Sequence, residues 1–363
     1  MSETTEDLKK QLRKKPKKES LPKEKDGLST GSTVLNLACS GNPTWGYQRG
    51  KYYLLVGDSA SGKTFLALSA FAEAGGNKAF DRHRFIYDNG EGGALMDLSR
   101  FFGGAVADRL EPPAVSEDGE ATFSTTVEEF YYRLDNALDQ GDPFIYILDS
   151  MDLLSSEAEW DKFEERKDAW ETGKSTTGSY GDGKAKQNSS NLRRVVSRLA
   201  ETGSILIIIA QTRDNIGFGA QFNPKTRSGG HALRFYATLE LWTSQKGHIK
   251  STYKGKQREQ GITCSVRVKK NRVTGRDRTA DFPIYHSFGI DDVGGCVDYL
   301  VEEKYWTETK GKVKAKEFDY EGSTEGLVQK IEAENREPEL KALVAEVFAE
   351  IEEACAVKRK ARY

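Results

Sequence analysis

Residues 51–68 read KYYLLVGDSASGKTFLAL: an apolar run, then a loop almost without side chains, then a second apolar run. The central octapeptide, Gly57-Asp58-Ser59-Ala60-Ser61-Gly62-Lys63-Thr64, fits G-x-x-x-x-G-K-[ST]. Small residues in that pattern let backbone N–H groups close around nucleotide phosphates, and the following helix N-terminus adds partial positive charge. Lys63 is placed to reach the β- and γ-phosphates and the Thr64 hydroxyl to ligate Mg²⁺. Context separates this loop from an ordinary glycine turn. Residues 52–56 read as a buried strand and 64–74 as a helix, the strand–loop–helix order that phosphate binding requires.

Working outward, further strands are expected at 84–87, 144–148 and 205–210, separated by helical segments. Long spacers between short buried strands imply right-handed crossovers and a parallel sheet covered on both faces. Runs at 238–242, 262–269 and 281–285 lie closer together and suggest antiparallel additions. The fold class is therefore α/β, a mostly parallel sheet flanked by helices. A small α+β or helical C-terminal domain follows from about 291, with a turn-rich break at 311–321 and a helix over 340–354.

Three strand ends carry candidate chemistry. FIYILDS at 144–150 ends an apolar strand in Asp149, a carboxylate suited to hold the metal beside the phosphate loop. After the 84–87 strand come Asp88, Asn89, Gly90 and Glu91. Glu91 is the candidate to orient or deprotonate attacking water, with Asp88 as alternate. ILIIIAQTR places Gln211 at the end of an apolar strand, where it serves as a γ-phosphate sensor or as a strand-end cap.

Composition limits the alternatives. The 363 residues carry a formal net charge of −2, so polyanion binding has to come from local clusters. No apolar run approaches the roughly 18 residues of a membrane span, and the lysine-rich N-terminus is no secretory signal. Cys39, Cys264, Cys296 and Cys355 form no CxxC pair, and the four histidines are scattered. That argues against zinc or a disulfide framework and for a reducing cytoplasm. Residues 1–26 form a charged arm with the basic centre KKQLRKKPKK, either a solvated tail or a contact for DNA or a partner. The last residues include the basic run KRKAR.

The stretch QTRDNIGFGAQFNPKTRSGGHALRFYATLEL, from Gln211 on, resembles the second DNA-binding loop of the RecA recombinase family, phage-encoded members included. Its parts are a strand-end glutamine, a loop over 212–228, the Gly229-Gly230 pair and ALRFY. LSTGSTVLNLA at 28–38 looks like the family's opening segment, and VRVKKNR at 266–272 like the strand whose cations reach a neighbouring subunit's nucleotide. The resemblance spans about 28–306. It implies an ATP- and Mg²⁺-dependent, DNA-stimulated ATPase that assembles as a homo-oligomer on single-stranded DNA and pairs it with homologous duplex DNA. It assigns Lys63, Glu91, Gln211, Lys270 and Arg272 to catalysis, the last two in trans. Gly57 through Thr64 and Asp149 would hold nucleotide and metal.

For DNA the resemblance points to Arg213, Phe218, Phe222, Lys225, Arg227, Gly229 and Gly230: cations for phosphates, aromatics to wedge against bases, glycines for close approach. It implies an arm over 1–26, an ATPase core over 27–290 and a C-terminal domain over 291–363, in the cytoplasm of a bacterium or phage-infected host. Two departures stand out. Asp88 and Glu91 are one residue further apart than the family's D-x-E. The 155–190 segment is expanded and contains a charged helix whose Trp160, Phe163 and Trp170 read as local packing. Two other readings compete: a hexameric RecA-type helicase, and a non-catalytic recombination mediator switched by ATP.

Overall fold

A computed structural model describes residues 26–90, 97–172, 183–214, 225–227 and 230–359. Expectations for the N-terminal arm, Glu91, Phe218, Phe222, Gly229 and the end of the basic tail lie outside the described residues, as does the side chain of Arg227.

One nine-stranded sheet organises the chain. Its strands are β1 (Tyr52–Gly57), β2 (Arg84–Asp88), β3 (Phe144–Leu148), β4 (Ile205–Asp214), β5 (Lys225–Arg227), β6 (Leu239–Tyr253), β7 (Lys256–Asn271), β8 (Thr279–Tyr285) and β9 (Gly289–Ile290). The spatial order is β9-β8-β7-β6-β1-β4-β3-β2, with the short β5 folded back on the end of β4. β2, β3, β4 and β1 run parallel, as their apolar runs and long spacers led one to expect. One expectation needs correction. The run at 238–242 pairs parallel with β1, and the antiparallel part begins only at the β6–β7 hairpin.

The helices are α1 (Thr33–Ser40), α2 (Lys63–Gly75), α3 (Val127–Asp139), α4 (Glu157–Glu171), α5 (Gly183–Thr202), α6 (Gly230–Tyr236), α7 (Asp292–Glu302), α8 (Thr324–Ala333) and α9 (Glu337–Ala354), with shorter turns of helix between. Because strand side chains alternate between faces, each central strand feeds two cores. Tyr53, Leu55, Ile145, Ile147, Ile207 and Ile209 meet α1, α2, α7 and α9 on one face. Tyr52, Leu54, Tyr146, Leu148, Leu206 and Ile208 meet α3 and α5 on the other. Each fully buried Leu or Ile contributes about 1.5–3 kcal/mol, so two covered faces suffice to fix the sheet.

Beyond residue 291 the apolar side chains, among them Cys296, Leu300, Leu327, Ile331 and Val344, join the first of those cores. The Asp292 carboxylate ties this end of the chain to α1: it accepts from Thr33 N at 2.5 Å, Thr33 Oγ1 at 2.9 Å and Lys341 Nζ at 2.8 Å. Spanning the turn-rich break expected at 311–321, the chain builds a three-stranded antiparallel sheet from Thr307–Thr309, Lys312–Ala315 and Tyr320–Gly322.

Two features exceed what patterning suggested. β6 and β7 extend well beyond the core as a hairpin closed by Lys254 and Gly255, both with positive φ, the geometry of a two-residue turn matched to strand twist. Its outer half is exposed and polar, so no alternation marked it as strand. Helix α4 opens with a capping box between Ser156 and Glu159 yet buries none of its residues. Trp160, Phe163 and Trp170 are exposed, Trp160 and Phe163 touching edge to face at 6.1 Å. The local packing expected of them is thus limited to that pair, and none of the three is buried.

Candidate nucleotide site

The phosphate loop leaves β1 at Gly57 and enters α2 at Lys63. Its shape demands glycine at both ends. A Cβ on Gly57 would stand 2.1 Å from Thr243 Oγ1, and Gly62 has φ +88° with Ile284 Cδ1 2.9 Å from where its Cβ would be. Side chains from the antiparallel strands complete the loop: Ser61 Oγ lies 2.7 Å from Thr243 Oγ1, and the Cys264 thiol donates to Ser61 O at 3.3 Å. Burial pushes that thiol up to about 12, so Cys264 stays a neutral donor.

Lys63 is buried, and its ammonium donates to Asp58 O at 2.5 Å. Thr64 Oγ1 donates to Asp149 Oδ2 at 2.7 Å, and Tyr87 OH donates to the same oxygen at 3.2 Å. Asp149 is 1% exposed, fixed at the end of β3. A hydroxyl and a buried carboxylate in contact beneath a phosphate loop form an all-oxygen donor set, which suits a hard divalent cation that keeps several of its waters. These residues fit Mg²⁺.

The loop, Thr64, Asp149 and Gln211 border a cavity of about 360 Å³, within the range that holds small ligands. Gln211 is the direct neighbour of Gly57 across the β1–β4 pair, and its N–H donates to Asp152 Oδ2 at 2.5 Å. Phe65, Ile262 and Ile284 supply the cavity's apolar lining, and Gln245, His248, Glu259 and His286 line it as well. His248 Nδ1 lies 3.0 Å and His286 Nε2 3.4 Å from the Glu259 carboxylate, and these contacts hold its carboxyl below the usual range. Sequence reasoning missed this cluster, along with Thr243, Cys264 and Asp152. Histidines that look scattered along the chain meet at Glu259 because β7 pairs with β6, which carries His248, and with β8, which leads into His286.

Asp88 turns out to be committed elsewhere. Its carboxylate accepts from Ser124 N at 2.9 Å, Ser124 Oγ at 2.5 Å and Tyr146 OH at 2.7 Å, and the residue is 4% exposed. Its carboxylate is thus turned to Ser124 and Tyr146 at the strand end.

The remaining candidates lie at two places. Arg213, Lys225 and Arg227 belong to the β4–β5 stem, at the same sheet edge as the phosphate loop. Lys225 pairs with the Asp58 carboxylate, and Arg213 Nη2 is 3.8 Å from Asp152. Gly230 opens α6 with φ +77°. Lys270 and Arg272 sit at the opposite edge. Lys270 lies four residues beyond Val266, which is level with Thr243 and Gly57, so it stands about 13 Å further along the strand. There Lys270 Nζ donates to Arg234 O at 2.5 Å and Phe235 O at 2.8 Å, and Arg272 Nη2 to Phe235 O at 2.5 Å. Two cations thus cap the carbonyl end of α6, a favourable placement against its dipole.

Comparison with known proteins agrees with this architecture. The family described as RecA N-terminal domain matches residues 166–291. Protein RecA of Trichodesmium erythraeum is 30% identical over 303 residues, covering 82% of this chain and 71% of that protein. Protein RecA of Rippkaea orientalis is 30% identical over 288 residues, 78% and 71% of the two chains. Protein RecA of Chlorobaculum tepidum is 30% identical over 281 residues, 76% and 70%. With identity of 30% over about four-fifths of this chain and seven-tenths of those relatives, the chain belongs to the RecA family.

Proposed function

We propose that this protein is an ATP-dependent DNA recombinase: it assembles on single-stranded DNA, pairs it with homologous duplex, and hydrolyses ATP to ADP and phosphate to reset. The observation that carries the reading is the adjacency of Gln211 and Gly57. One strand pair joins the phosphate loop to the stem that bears Arg213, Lys225 and Arg227, so nucleotide and DNA sites share a sheet edge.

In this reading Lys63 exchanges the Asp58 carbonyl for β- and γ-phosphate oxygens, while the loop N–H groups and the N-terminus of α2 hold the remaining charge. Thr64 and Asp149 hold Mg²⁺, which when bound neutralises charge on the phosphate oxygens. Gln211 senses the γ-phosphate and reports to the stem. Glu91 orients the attacking water, since Asp88 is engaged by Ser124 and Tyr146. Lys270 and Arg272 stand at the sheet edge away from their own phosphate loop, which supports action on a neighbouring subunit's nucleotide in a homo-oligomer. The stem cations meet DNA phosphates, with Phe218, Phe222, Gly229 and Gly230 completing the contact. Residues 27–290 act as the ATPase core, 1–26 as an arm and 291–363 as a C-terminal domain, in the cytoplasm. Among the described residues no helix is long and apolar enough to cross a membrane.

The test is pairing of a single strand with homologous and with heterologous duplex in the presence of ATP. Joint molecules formed only with the homologous duplex are expected. ATP-driven unwinding indifferent to homology points to a motor, and nucleotide binding without turnover to a mediator; either result overturns the reading.

A further inference from the structure

Asp58 touches both sites at once. Its carbonyl accepts Lys63 Nζ at 2.5 Å and Ser61 Oγ at 2.7 Å, inside the phosphate loop. Its carboxylate faces outward to the stem, where Thr212 on β4 donates to Oδ1 and Lys225 on β5 donates to Oδ2. Those two hydrogen bonds, Lys225 first, hold the Asp58 carboxyl below the usual carboxylate range, so it is ionised at neutral pH. Asp152 is arranged in parallel: it accepts from Gln211 N and lies beside Arg213. Both stem cations with described side chains are therefore matched by a carboxylate of the ATPase core.

We propose that Asp58 is a positioning residue that latches the stem to the phosphate loop through Lys225, and that single-stranded DNA has to take Lys225 from it. This rests on the reading of the stem as a DNA contact. A DNA phosphate and the Asp58 carboxylate compete for one ammonium group, so the latch lowers DNA affinity while it is closed. Nucleotide acts on the same residue from the other side. Triphosphate oxygens that draw Lys63 away from the Asp58 carbonyl remove one of the bonds fixing the loop's backbone, and they place negative charge beside the carboxylate. The closed latch is thereby disfavoured, and nucleotide and DNA favour each other by linkage.

The experiment measures binding of a labelled oligothymidylate by anisotropy to the full chain, without nucleotide and with a non-hydrolysable ATP analogue. Asp58→Asn keeps the shape and an acceptor for Thr212 but drops the charge. It is expected to tighten nucleotide-free binding about fivefold, the scale of an exposed ion pair. With the analogue the gain is expected to shrink to about twofold or less, because the latch is already open. In a Lys225→Met background the same change is expected to give no gain. Lys225→Met alone is expected to weaken analogue-bound binding several-fold, lower its salt slope by about one, and barely alter nucleotide-free binding. Unchanged or weaker nucleotide-free binding in Asp58→Asn overturns the latch. So does an equal gain in the Lys225→Met background, which marks a bulk charge effect, or an equal loss from Lys225→Met in both states. If the parent chain binds no single-stranded DNA in either state, the DNA reading of the stem falls, and the latch with it.

Discussion

The Thr64 hydroxyl donates a 2.7 Å hydrogen bond to Asp149 Oδ2, joining the end of the phosphate loop to the end of β3. Two residues 85 positions apart thus form one oxygen site because β1, β4 and β3 lie side by side. Asp149→Asn preserves that shape while removing the charge that a divalent cation needs. Turnover of ATP is expected to fall at least about a hundredfold, with the Mg²⁺ midpoint displaced to higher concentration. A Mg²⁺ titration of hydrolysis checks this; an unchanged midpoint with parent turnover removes Asp149 from the metal site.

Lys63 offers a simpler deletion. Its ammonium is held by a backbone carbonyl of its own loop. Lys63→Ala is expected to lower ATP turnover at least about a hundredfold at saturating ATP and Mg²⁺, with a melting temperature within a few degrees of the parent. Parent-level turnover in this variant rules out the phosphate-loop assignment.

Lys270 and Arg272 make assembly testable. Chains carrying Lys270→Ala and chains carrying Lys63→Ala are each expected to be nearly inactive, whereas their mixture regains part of the activity. Some interfaces in the mixture bring an intact phosphate loop to an intact cation pair. Mixed oligomers that form but hydrolyse no ATP show that Lys270 does not act across a boundary.

Asp298 supplies a stability prediction. Asp298 lies on the exposed side of α7, yet partial desolvation of its carboxyl, and then the neighbouring carboxylates Glu302, Asp291 and Glu308, push it up to about 6, with Lys246 opposing. Between the ordinary carboxylate range and that value the folded state binds more protons than the unfolded one. The contribution of Asp298 to stability therefore falls as pH rises through 6. Asp298→Asn is expected to be more stable than the parent by up to about 1 kcal/mol near pH 7.5, because solvent screens an exposed carboxylate, and to lose that advantage below about pH 4. Urea melts at the two pH values measure it; a variant no more stable than the parent near pH 7.5 contradicts the argument.

What the chain discloses before folding follows from how far each signal extends along it. The phosphate loop, the Asp149 strand and the Gln211 strand are local patterns: apolar runs that end in one polar residue, and the structure returns the Asp149 strand with its expected bounds and the others shifted by one to a few residues. The cluster of His248, Glu259 and His286 is not local, because it exists only once β7 pairs with both β6 and β8. Asp58 illustrates the limit. Its place in the loop is plain from the octapeptide, yet its carboxylate partners lie at Thr212 and Lys225, brought together by the β4–β5 stem. The outer hairpin escaped notice for the opposite reason, since a strand with no buried face carries no hydrophobic period.

The most direct test of the whole account is ATP hydrolysis measured against increasing single-stranded DNA, with Mg²⁺ and ATP saturating. Because β4, with Gln211 and Arg213, pairs with β1 at the edge of the phosphate loop and with β5, which bears Lys225 and Arg227, turnover is expected to rise severalfold and to saturate with DNA. Turnover that is the same with and without single-stranded DNA, in a chain shown to bind it, would contradict the account.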